Sequence, residues 1–420
     1  MWGETLLKRT TDKVVGKMAG AQLGKLAEQV RAHGDLPLRI VLPDGRYTEF
    51  GQTPQLTLTV RNPVGLATLS RPTLGGLAEA YVEGGIDIDG DIATAIEMAS
   101  RLVEAGGVSV ADRPALEPAQ HEAHADRVDI SHHYDVGNSF YRLWLDERMV
   151  YSCAYFESGS EDIDAAQRAK LDHICRKLRL QPGERFLDIG CGWGALVRHA
   201  AQHYGVSAVG ITLSTQQALL GRERIAAAGL QDRAEIELLD YRDLPQRFGE
   251  GSFDKVASIG MFEHVGLRNL PVYFGTAARM LRDRGLMLNH GITSADVENR
   301  PIGSDAGEFI GKYVFPNGEL PHLGVAVREM SAAGFEVCDI ESLRPHYALT
   351  LAHWSRRLEQ RLQEAARQVS ERTLRVWRVY LAGCSHGFAQ GWMNLYQVLG
   401  SRQVAPGATA LPLTRSWMYR

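Results

Sequence analysis

The sequence predicts an α/β fold built on a doubly wound, mostly parallel sheet, and two observations predict it. The first is a set of five short apolar runs that alternate with helical stretches: RFLDIG, VSAVGITL, AEIELLDY, FDKVASIG and GLMLNHGI. Strands that alternate with helices form parallel sheets, because each helix carries the chain back across the sheet. The second is a glycine-rich turn after the first run, followed directly by a helical pattern. Such a turn predicts a ligand site at the carboxyl ends of the strands.

The composition is typical of a globular protein whose cysteines are reduced thiols. The chain has 420 residues, 45% hydrophobic and 23% charged, and its 46 basic residues against 50 acidic ones give no electrostatic basis for nucleic-acid binding. Its length predicts a large catalytic unit with a smaller companion. The 5 cysteines are odd in number and contain no C-x-x-C pair, so we expect no disulfide framework and no metal site. No signal peptide or membrane span is indicated, which predicts a cytoplasmic protein.

Residues 1–110 predict a small N-terminal α+β domain that docks on lipid. Residues 1–31 form a basic amphipathic pattern with six basic and three acidic residues, which either lies on an anionic membrane or packs on its own domain. Two strands around an Asp-Gly turn and a third strand follow, in LPLRIVLPDGRYTEFG and PQLTLTVRN. Next comes a helical pattern broken by glycines, LAEAYVEGGIDIDGDIATAIEMASRLVEAGG. The Pro-rich and charged residues 111–130 are the predicted linker, and residues 131–420 the predicted catalytic domain.

The glycine turn, FLDIGCGWGAL, is the strongest local signal. Glycine lets the backbone approach a ligand closely, and the following helix offers free N–H groups. The spacing G-x-G-x-G, with Asp188 two residues ahead, differs from the G-x-G-x-x-G fingerprint of dinucleotide sites. It predicts S-adenosylmethionine (SAM) rather than a nicotinamide cofactor. The alternative is that the glycines serve only a tight turn.

Six separated motifs resemble those of the cyclopropane fatty acid synthases and the related mycolic acid cyclopropane synthases. They are HHYDVGNSFYRLWLDERMVYSCAYF, LDIGCGWGAL, GITLSTQQ, MFEHVG, KYVFPNGELP and HYALTLAHW. The N-terminal part resembles the small domain of the bacterial phospholipid-acting branch. The resemblance implies methyl transfer from SAM to the cis double bond of an unsaturated membrane phospholipid, followed by closure of a cyclopropane ring. It also implies a homodimer associated peripherally with the inner face of the cytoplasmic membrane.

The resemblance also implies which residues bind the cofactor. Asp188 would orient the glycine turn or reach the methionine amine through water. The full implied set is Tyr151, Ser152, Asp188, Gly190, Cys191, Gly192, Gly194, Thr212, Leu213, Ser214, Gln217, Asp240 and Tyr241.

A bound bicarbonate would act as the base that closes the ring. The resemblance places it between the side chains of Glu263, His290 and Tyr347 and the backbone N–H groups of Cys153 and Ile292. A carboxylate beside an anion is repelled unless a proton is shared, which would make Glu263 a proton relay.

Two cysteines leave alternatives open. Cys153 would contribute its amide and a small side chain to the anion site; a nucleophile and an inert core thiol are the alternatives. Cys384 occupies a position where family members often carry a cysteine, and it is either catalytic or, given its apolar neighbours, a packed thiol.

Methylation of an isolated alkene requires a dry, aromatic pocket. Each aromatic residue in the motifs could equally be ordinary core, and the candidates are Tyr134, Phe140, Tyr155, Phe156, Tyr313 and Phe315. Rival interpretations are a lipid methyltransferase that makes a methyl or methylene branch, a non-catalytic lipid-binding relative and a nicotinamide oxidoreductase.

Overall fold

The computed structural model describes Glu28 and residues 36–105, 136–298, 305–315, 318–403, 407 and 411–419. The predicted basic helix, apart from Glu28, and the predicted linker lie outside these residues. The chain divides into two compact units. The first comprises Met1–Pro114, Pro301–Val314 and Val369–His386, and the second comprises Ala115–Arg300, Phe315–Gln368 and Gly387–Arg420.

The strands, in chain order, are β1 (Leu38–Val41), β2 (Tyr47–Glu49), β3 (Leu56–Val60), β4 (Ile86–Asp89), β5 (Arg185–Ile189), β6 (Ser207–Thr212), β7 (Ala234–Leu238), β8 (Phe253–Ile259), β9 (Leu281–Ser294), β10 (Phe335–Ser342) and β11 (Met393–Arg402). The α-helices are α1 (Pro63–Ser70), α2 (Leu74–Val82), α3 (Ile92–Ala105), α4 (Asn138–Tyr141), α5 (Ile163–Lys177), α6 (Ala195–Tyr204), α7 (Thr215–Ala227), α8 (Leu244–Phe248), α9 (Leu270–Met280), α10 (Ala306–Tyr313), α11 (Leu323–Ala332), α12 (Arg344–Glu359), α13 (Leu362–Ala365) and α14 (Glu371–Gln390). No helix within the described ranges has the length and apolar character needed to cross a membrane.

The first unit contains a four-stranded sheet in the order β2-β1-β3-β4. The predicted hairpin is confirmed: β1 and β2 pair antiparallel, and Gly45 in the turn between them has φ +83°. The predicted helical pattern broken by glycines, which begins at residue 77, is wrong at β4. There Ile86 and Ile88 pair with Val60 and Leu58 of β3, so two apolar residues at alternating positions complete the sheet.

The segment before α10 belongs to the first unit because Asp305 caps α2. Its carboxylate accepts hydrogen bonds from the backbone N–H groups of Gly75 (2.8 Å) and Gly76 (3.1 Å) and from the Thr73 hydroxyl. A Cβ at Gly75 would lie 2.6 Å from the Asp305 carbonyl oxygen, so only glycine permits this approach. The predicted catalytic domain, residues 131–420, instead includes this segment and residues 369–386.

The second unit is built on a seven-stranded sheet in the order β10-β11-β9-β8-β5-β6-β7. The five predicted strands are confirmed as its parallel part, β5 to β9. Two further strands, β10 and β11, were not predicted; β11 pairs antiparallel with both β9 and β10. The chain runs outward from β5 through β6 to β7 and then returns to β8 on the other side of β5. This reversal beside β5 is where doubly wound sheets bind ligands.

Two apolar clusters line the faces of this sheet. One includes α5 and α6 residues such as Leu171, Ile174 and Leu196. The other includes α9 residues such as Tyr273 and Phe274. Helices on both faces bury most residues of the central strands β5, β6 and β8, which explains their apolar sequences.

Candidate active site

The glycine turn connects β5 to α6 in a left-handed conformation. Gly190 and Gly194 have φ values of +80° and +72°. A Cβ at Gly190 would lie 2.9 Å from Met261 Cγ, and one at Gly194 would lie 2.4 Å from Ile236 Cδ1. Both positions therefore require glycine for conformation and for close packing. The turn is held in place because the N–H groups of Gly190 and Cys191 donate to the Ile211 carbonyl (3.0 and 2.9 Å).

A cavity lies beside this turn at the carboxyl ends of β5 to β8. We call it the cofactor cavity. Most of the predicted cofactor residues line it: Tyr151, Ser152, Asp188, Gly190, Cys191, Gly192, Thr212, Leu213, Gln217, Asp240 and Tyr241. Gly194 and Ser214 are not among its lining residues. Gly194 precedes α6, and the Ser214 hydroxyl caps α7 by accepting the Gln217 N–H (3.3 Å).

The polar groups at the ends of β6 and β7 are held by local hydrogen bonds. The Thr212 hydroxyl donates to Gln217 Oε1 (2.7 Å), which leaves the amide nitrogen of Gln217 available for the cavity. Asp240 is buried, and its carboxylate accepts a hydrogen bond from the Arg242 guanidinium (3.0 Å). These side chains provide donors and acceptors suited to hydroxyl and amino groups of a bound nucleoside.

A buried lysine, Lys170 on α5, also lines the cofactor cavity and was not found from the sequence. It is 2% exposed, and its ammonium group donates to Ser152 Oγ (2.8 Å). Burial lowers the pKa of Lys170 to about 8. No sequence pattern distinguishes it, because a lysine in the helical stretch AAQRAKLDH looks like a solvated residue.

Asp188 is a buried acid of the same cavity. Its Oδ1 has no hydrogen-bond partner among the described residues. Burial raises the pKa of Asp188 to about 7, although the positive charge of Lys170 opposes this rise. Together with buried Asp240, the cofactor cavity thus contains two buried acids and the buried base Lys170, whose charges complement a ligand that carries both signs.

An aromatic cluster surrounds Tyr151. Its ring lies 5.6 Å from Tyr141, 5.5 Å from Trp144 and 5.4 Å from Trp354, measured between centroids. Trp144 and Trp354 are fully buried. These rings form a buried aromatic wall of the kind predicted for the site. Tyr141, Trp144 and Trp354, however, are not among the aromatic residues predicted from the sequence.

The aromatic residues predicted from the sequence each have different neighbours in the structure. Phe140 is buried against Tyr141 and Trp144. The ring of Tyr155 stacks on His173 and His346, and that of Phe156 on His353. Phe315 packs against His264, which lines the cofactor cavity.

Two predicted aromatic residues, Tyr313 and Tyr134, remain. Tyr313 lies in the first unit, where its hydroxyl donates to Glu83 (2.9 Å). Tyr134 is outside the described residues.

Glu263 is buried where the chain leaves β8. The Ile292 N–H donates a long hydrogen bond to its Oε1 (3.4 Å), and its Oε2 has no partner within the described ranges. A Cβ at Gly291 would lie 2.1 Å from Phe262 and 2.8 Å from Glu263 Oε2, so this glycine makes room for the carboxyl group. Burial raises the pKa of Glu263 to about 7.

His290, on β9, is also buried. Gln397 on the neighbouring strand donates to its Nδ1 (3.1 Å), which leaves the proton on Nε2. Nε2 is buried and has no partner in the part of the chain that the structure describes. Burial, followed by the positive charge of Lys170, holds the pKa of His290 well below its usual value. The side chain is therefore a neutral imidazole with one free N–H donor.

Backbone contacts connect Cys153 and Tyr347 to the same strands. The Leu343 carbonyl accepts from the Cys153 thiol (3.8 Å) and from the Tyr347 N–H (3.1 Å). The Leu343 N–H in turn donates to Leu395, which pairs with Ile292. These contacts link Cys153 and Tyr347 to the strand that carries His290 and Ile292, and the Ile292 N–H links that strand to Glu263.

The two candidate cysteines are both buried. Burial raises the pKa of the Cys153 thiol far above neutral, so the thiol stays protonated and is a poor nucleophile. Burial also raises the pKa of Cys384 to about 12, and this residue lies in the first unit on α14. These environments favour a wall residue at Cys153 and a packed thiol at Cys384.

The doubly wound sheet, its glycine turn and the cofactor cavity define a SAM-dependent methyltransferase. A family model for mycolic acid cyclopropane synthetases matches residues 121–398, and a domain of unknown function matches residues 26–105. The chain belongs to the mycolic acid cyclopropane synthetase family.

Relatives and solved structures agree with this assignment. A probable fatty acid methyltransferase of Pseudomonas putida is 50% identical over 92% of this chain and 97% of its own length. The cyclopropane-fatty-acyl-phospholipid synthase of Escherichia coli K12 is 40% identical over 66% of this chain and 68% of its own. A mycolic acid cyclopropane synthase solved with SAH and CTAB aligns with a TM-score of 0.61 and 35% identity, over 66% of this chain and 98% of that structure.

Proposed function

We propose that the protein transfers the methyl group of SAM to the cis double bond of an unsaturated phospholipid acyl chain and closes a cyclopropane ring. The observation that carries this proposal is the pair of buried groups, Glu263 and His290, close to the cofactor cavity. An alkene has no acidic proton to lose before it is methylated, so proton removal follows methyl transfer, and these buried groups can serve that later step. The E. coli relative named for the same reaction supports the substrate class.

Methyl transfer to an alkene makes a carbocation, which water would trap. The buried rings around Tyr151 exclude water, and their faces stabilise positive charge on sulfur and then on carbon. Tyr151 and Ser152 line the cofactor cavity, so they also position the reacting methyl group.

Ring closure requires loss of a proton from the transferred methyl group. Two observations fit an anionic base here: the free Nε2–H of His290 is a hydrogen-bond donor, and Glu263, with its pKa of about 7, can donate through a proton on Oε2. We propose that Glu263, His290 and Tyr347, with the N–H groups of Cys153 and Ile292, hold bicarbonate. When bound, bicarbonate would supply the base for this proton. Glu263 then relays the proton, and its neutral form avoids repulsion between two anions.

The reaction balances without a further reactant. Methyl transfer breaks the S–CH3 bond, releases S-adenosylhomocysteine and uses the π electrons of the alkene to form the first new C–C bond. Loss of one proton from the transferred methyl group then leaves its C–H electron pair, which forms the second C–C bond to the cationic carbon and closes the ring. The acyl chain therefore gains CH2 in total.

The test is mass spectrometry of acyl chains after purified protein is incubated with SAM and vesicles of a cis-unsaturated phospholipid. We expect a gain of one CH2 and loss of the alkene, with a product that resists mild hydrogenation. SAM binding without any gain would contradict the proposal and favour a non-catalytic lipid-binding role.

A methyl- or methylene-branched product is the second candidate, since the Pseudomonas putida relative is described as a probable fatty acid methyltransferase. A hydride shift onto the first cationic carbon, followed by the same proton loss, gives a methylene branch of equal mass. Such a product takes up hydrogen, and a cyclopropane does not. A saturated methyl branch would add two further hydrogens and would need a reductant.

We also propose that the protein is a cytoplasmic homodimer that associates peripherally with the inner face of the membrane. The basic amphipathic pattern of residues 1–31 supports the association with an anionic membrane surface. Deletion of residues 1–31 should weaken binding to anionic vesicles and leave SAM binding unchanged. Equal vesicle affinity of the truncated protein would contradict the docking role, and light scattering tests the dimer.

A further inference from the structure

A second cavity of about 270 Å³ opens on the second unit, and its lining is rich in cations. Arg148, Arg198 and Arg224 contribute guanidinium groups, and His199 and His203 add two imidazole rings. We call it the arginine cavity. Ala195 lines both this cavity and the cofactor cavity, so only the start of α6 separates them.

Arg198 is the central residue of the arginine cavity. Its guanidinium makes no ion pair or hydrogen bond within the described ranges, and its Nε is buried without a partner. Burial, together with the positive charges of Arg224 and Arg148, lowers the pKa of Arg198 to about 10. A half-buried guanidinium without a counter-ion is unfavourable, because it loses hydration and gains no compensating contact.

The neighbouring side chains do not neutralise Arg198. Arg224 donates to backbone oxygen atoms, of which the Arg148 carbonyl is nearest (2.8 Å). Arg148 is paired with Glu147. His199 binds Asp172 (2.9 Å).

The remaining nearby acid, Asp146, is 2% exposed and is engaged by backbone N–H groups of Arg148 (3.0 Å) and Val150 (2.7 Å). Its negative charge offsets part of the positive potential at Arg198. It makes no ion pair with the three guanidinium groups. The cavity therefore retains an excess of positive charge facing solvent.

We propose that the arginine cavity binds a phosphate group. A guanidinium presents parallel N–H donors that match two phosphate oxygens, and Arg198 has its donors free for this purpose. The phosphate comes either from a phospholipid headgroup or from a soluble phosphate compound. The site does not depend on the proposed reaction, because it uses none of the residues around Glu263.

The test uses the full-length protein and the variant Arg198→Met. Calorimetric titration with inorganic phosphate measures the soluble source, and co-sedimentation with phosphatidylglycerol vesicles measures the headgroup source. The matched control is Arg328→Met, which removes one positive charge from an arginine 70% exposed on α11. SAM affinity and thermal unfolding show that each variant is folded.

We expect Arg198→Met to weaken at least one of the two binding reactions by roughly tenfold, while Arg328→Met changes neither. Loss of phosphate binding alone assigns a soluble ligand, and loss of vesicle binding assigns a headgroup. Binding that is unchanged in both assays, or absent from the wild type in both, would overturn the proposal.

A second measurement does not require a variant. Phenylglyoxal modifies exposed arginine side chains, and mass spectrometry locates the modified residue. Phosphate should protect Arg198 and leave Arg328 reactive in the wild-type protein. Equal modification of Arg198 with and without phosphate would contradict binding at this cavity.

Discussion

Asp188, in the cofactor cavity, and Glu263, outside its lining, are both buried carboxyl groups with a raised pKa, but the neighbours of the two groups differ. Asp188 feels the positive charge of Lys170, which opposes the effect of burial on its pKa. No basic side chain acts on Glu263 in this way; the groups that lower its pKa are backbone N–H donors, including that of Ile292. Its buried partner in the site, His290, is neutral.

Burial raises the pKa of both carboxyl groups to about 7, so the two sites differ in the charge beside the carboxyl group and not in its pKa. A buried acid and a buried base can both be charged, which suits a ligand that carries an ammonium and a carboxylate group. A carboxyl group with a pKa of about 7 and no cation nearby is close to half-protonated at neutral pH. That condition suits a proton relay.

The largest expected effect comes from Glu263→Gln. Turnover should fall by at least about a hundredfold, because the amide cannot exchange a proton, while SAM affinity stays normal. Turnover is measured by acyl-chain mass spectrometry and SAM affinity by calorimetry. The control is Glu336→Gln, on the exposed part of β10. Near-normal turnover of Glu263→Gln would place the proton relay elsewhere.

The same substitution should change the dependence of stability on pH. The pKa of Glu263 is raised from a usual value of 4.5 to about 7 in the folded state. The folded protein therefore binds more protons than the unfolded chain between these values, and stability is lost as pH rises through this window. Glu263→Gln removes that loss.

Urea unfolding at pH 5 and pH 8 tests this dependence. The stability of Glu263→Gln relative to wild type should increase between the two pH values by up to about 3 kcal/mol. Asp188, whose pKa is also raised, is unchanged in both proteins and cancels from the comparison. A difference that does not vary with pH would mean that the Glu263 pKa is ordinary.

Lys170→Met should weaken ligand binding in the cofactor cavity. Loss of the ammonium group leaves Asp188 without a nearby cation and frees Ser152 Oγ, so SAM affinity should fall by roughly tenfold. The matched control is Lys177→Met, seven residues further along α5. That lysine pairs with Glu341 (2.5 Å) outside the cofactor cavity. The control should lose stability but keep its SAM affinity; equal SAM affinity in both variants would exclude a cofactor role for Lys170.

The smallest effect is expected from Cys153→Ala. If Cys153 contributes its backbone N–H and small size, turnover should change by less than about threefold, since alanine keeps both. A loss comparable to that of Glu263→Gln would instead show that the thiol takes part in the reaction. Turnover under SAM saturation distinguishes the two outcomes.

The sequence by itself determined the parallel half of the large sheet, the glycine turn and the family. These features depend on contiguous residues: β5 to β9 are apolar runs, and the positive φ values at Gly190 and Gly194 need glycine at those positions. The cofactor residues implied by the family motifs also line the cofactor cavity, apart from Gly194 and Ser214.

The tertiary structure alone decided the burial of Lys170, the antiparallel strands β10 and β11, and the cluster around Arg198. Each depends on residues distant in the chain: Lys170 is enclosed with Ser152 and Asp188, and β11 pairs with β9 about a hundred residues earlier. Charged side chains at helical spacing look the same whether they face water or a cavity. Their pKa values and their roles follow from burial and neighbouring charges, which only the folded chain defines.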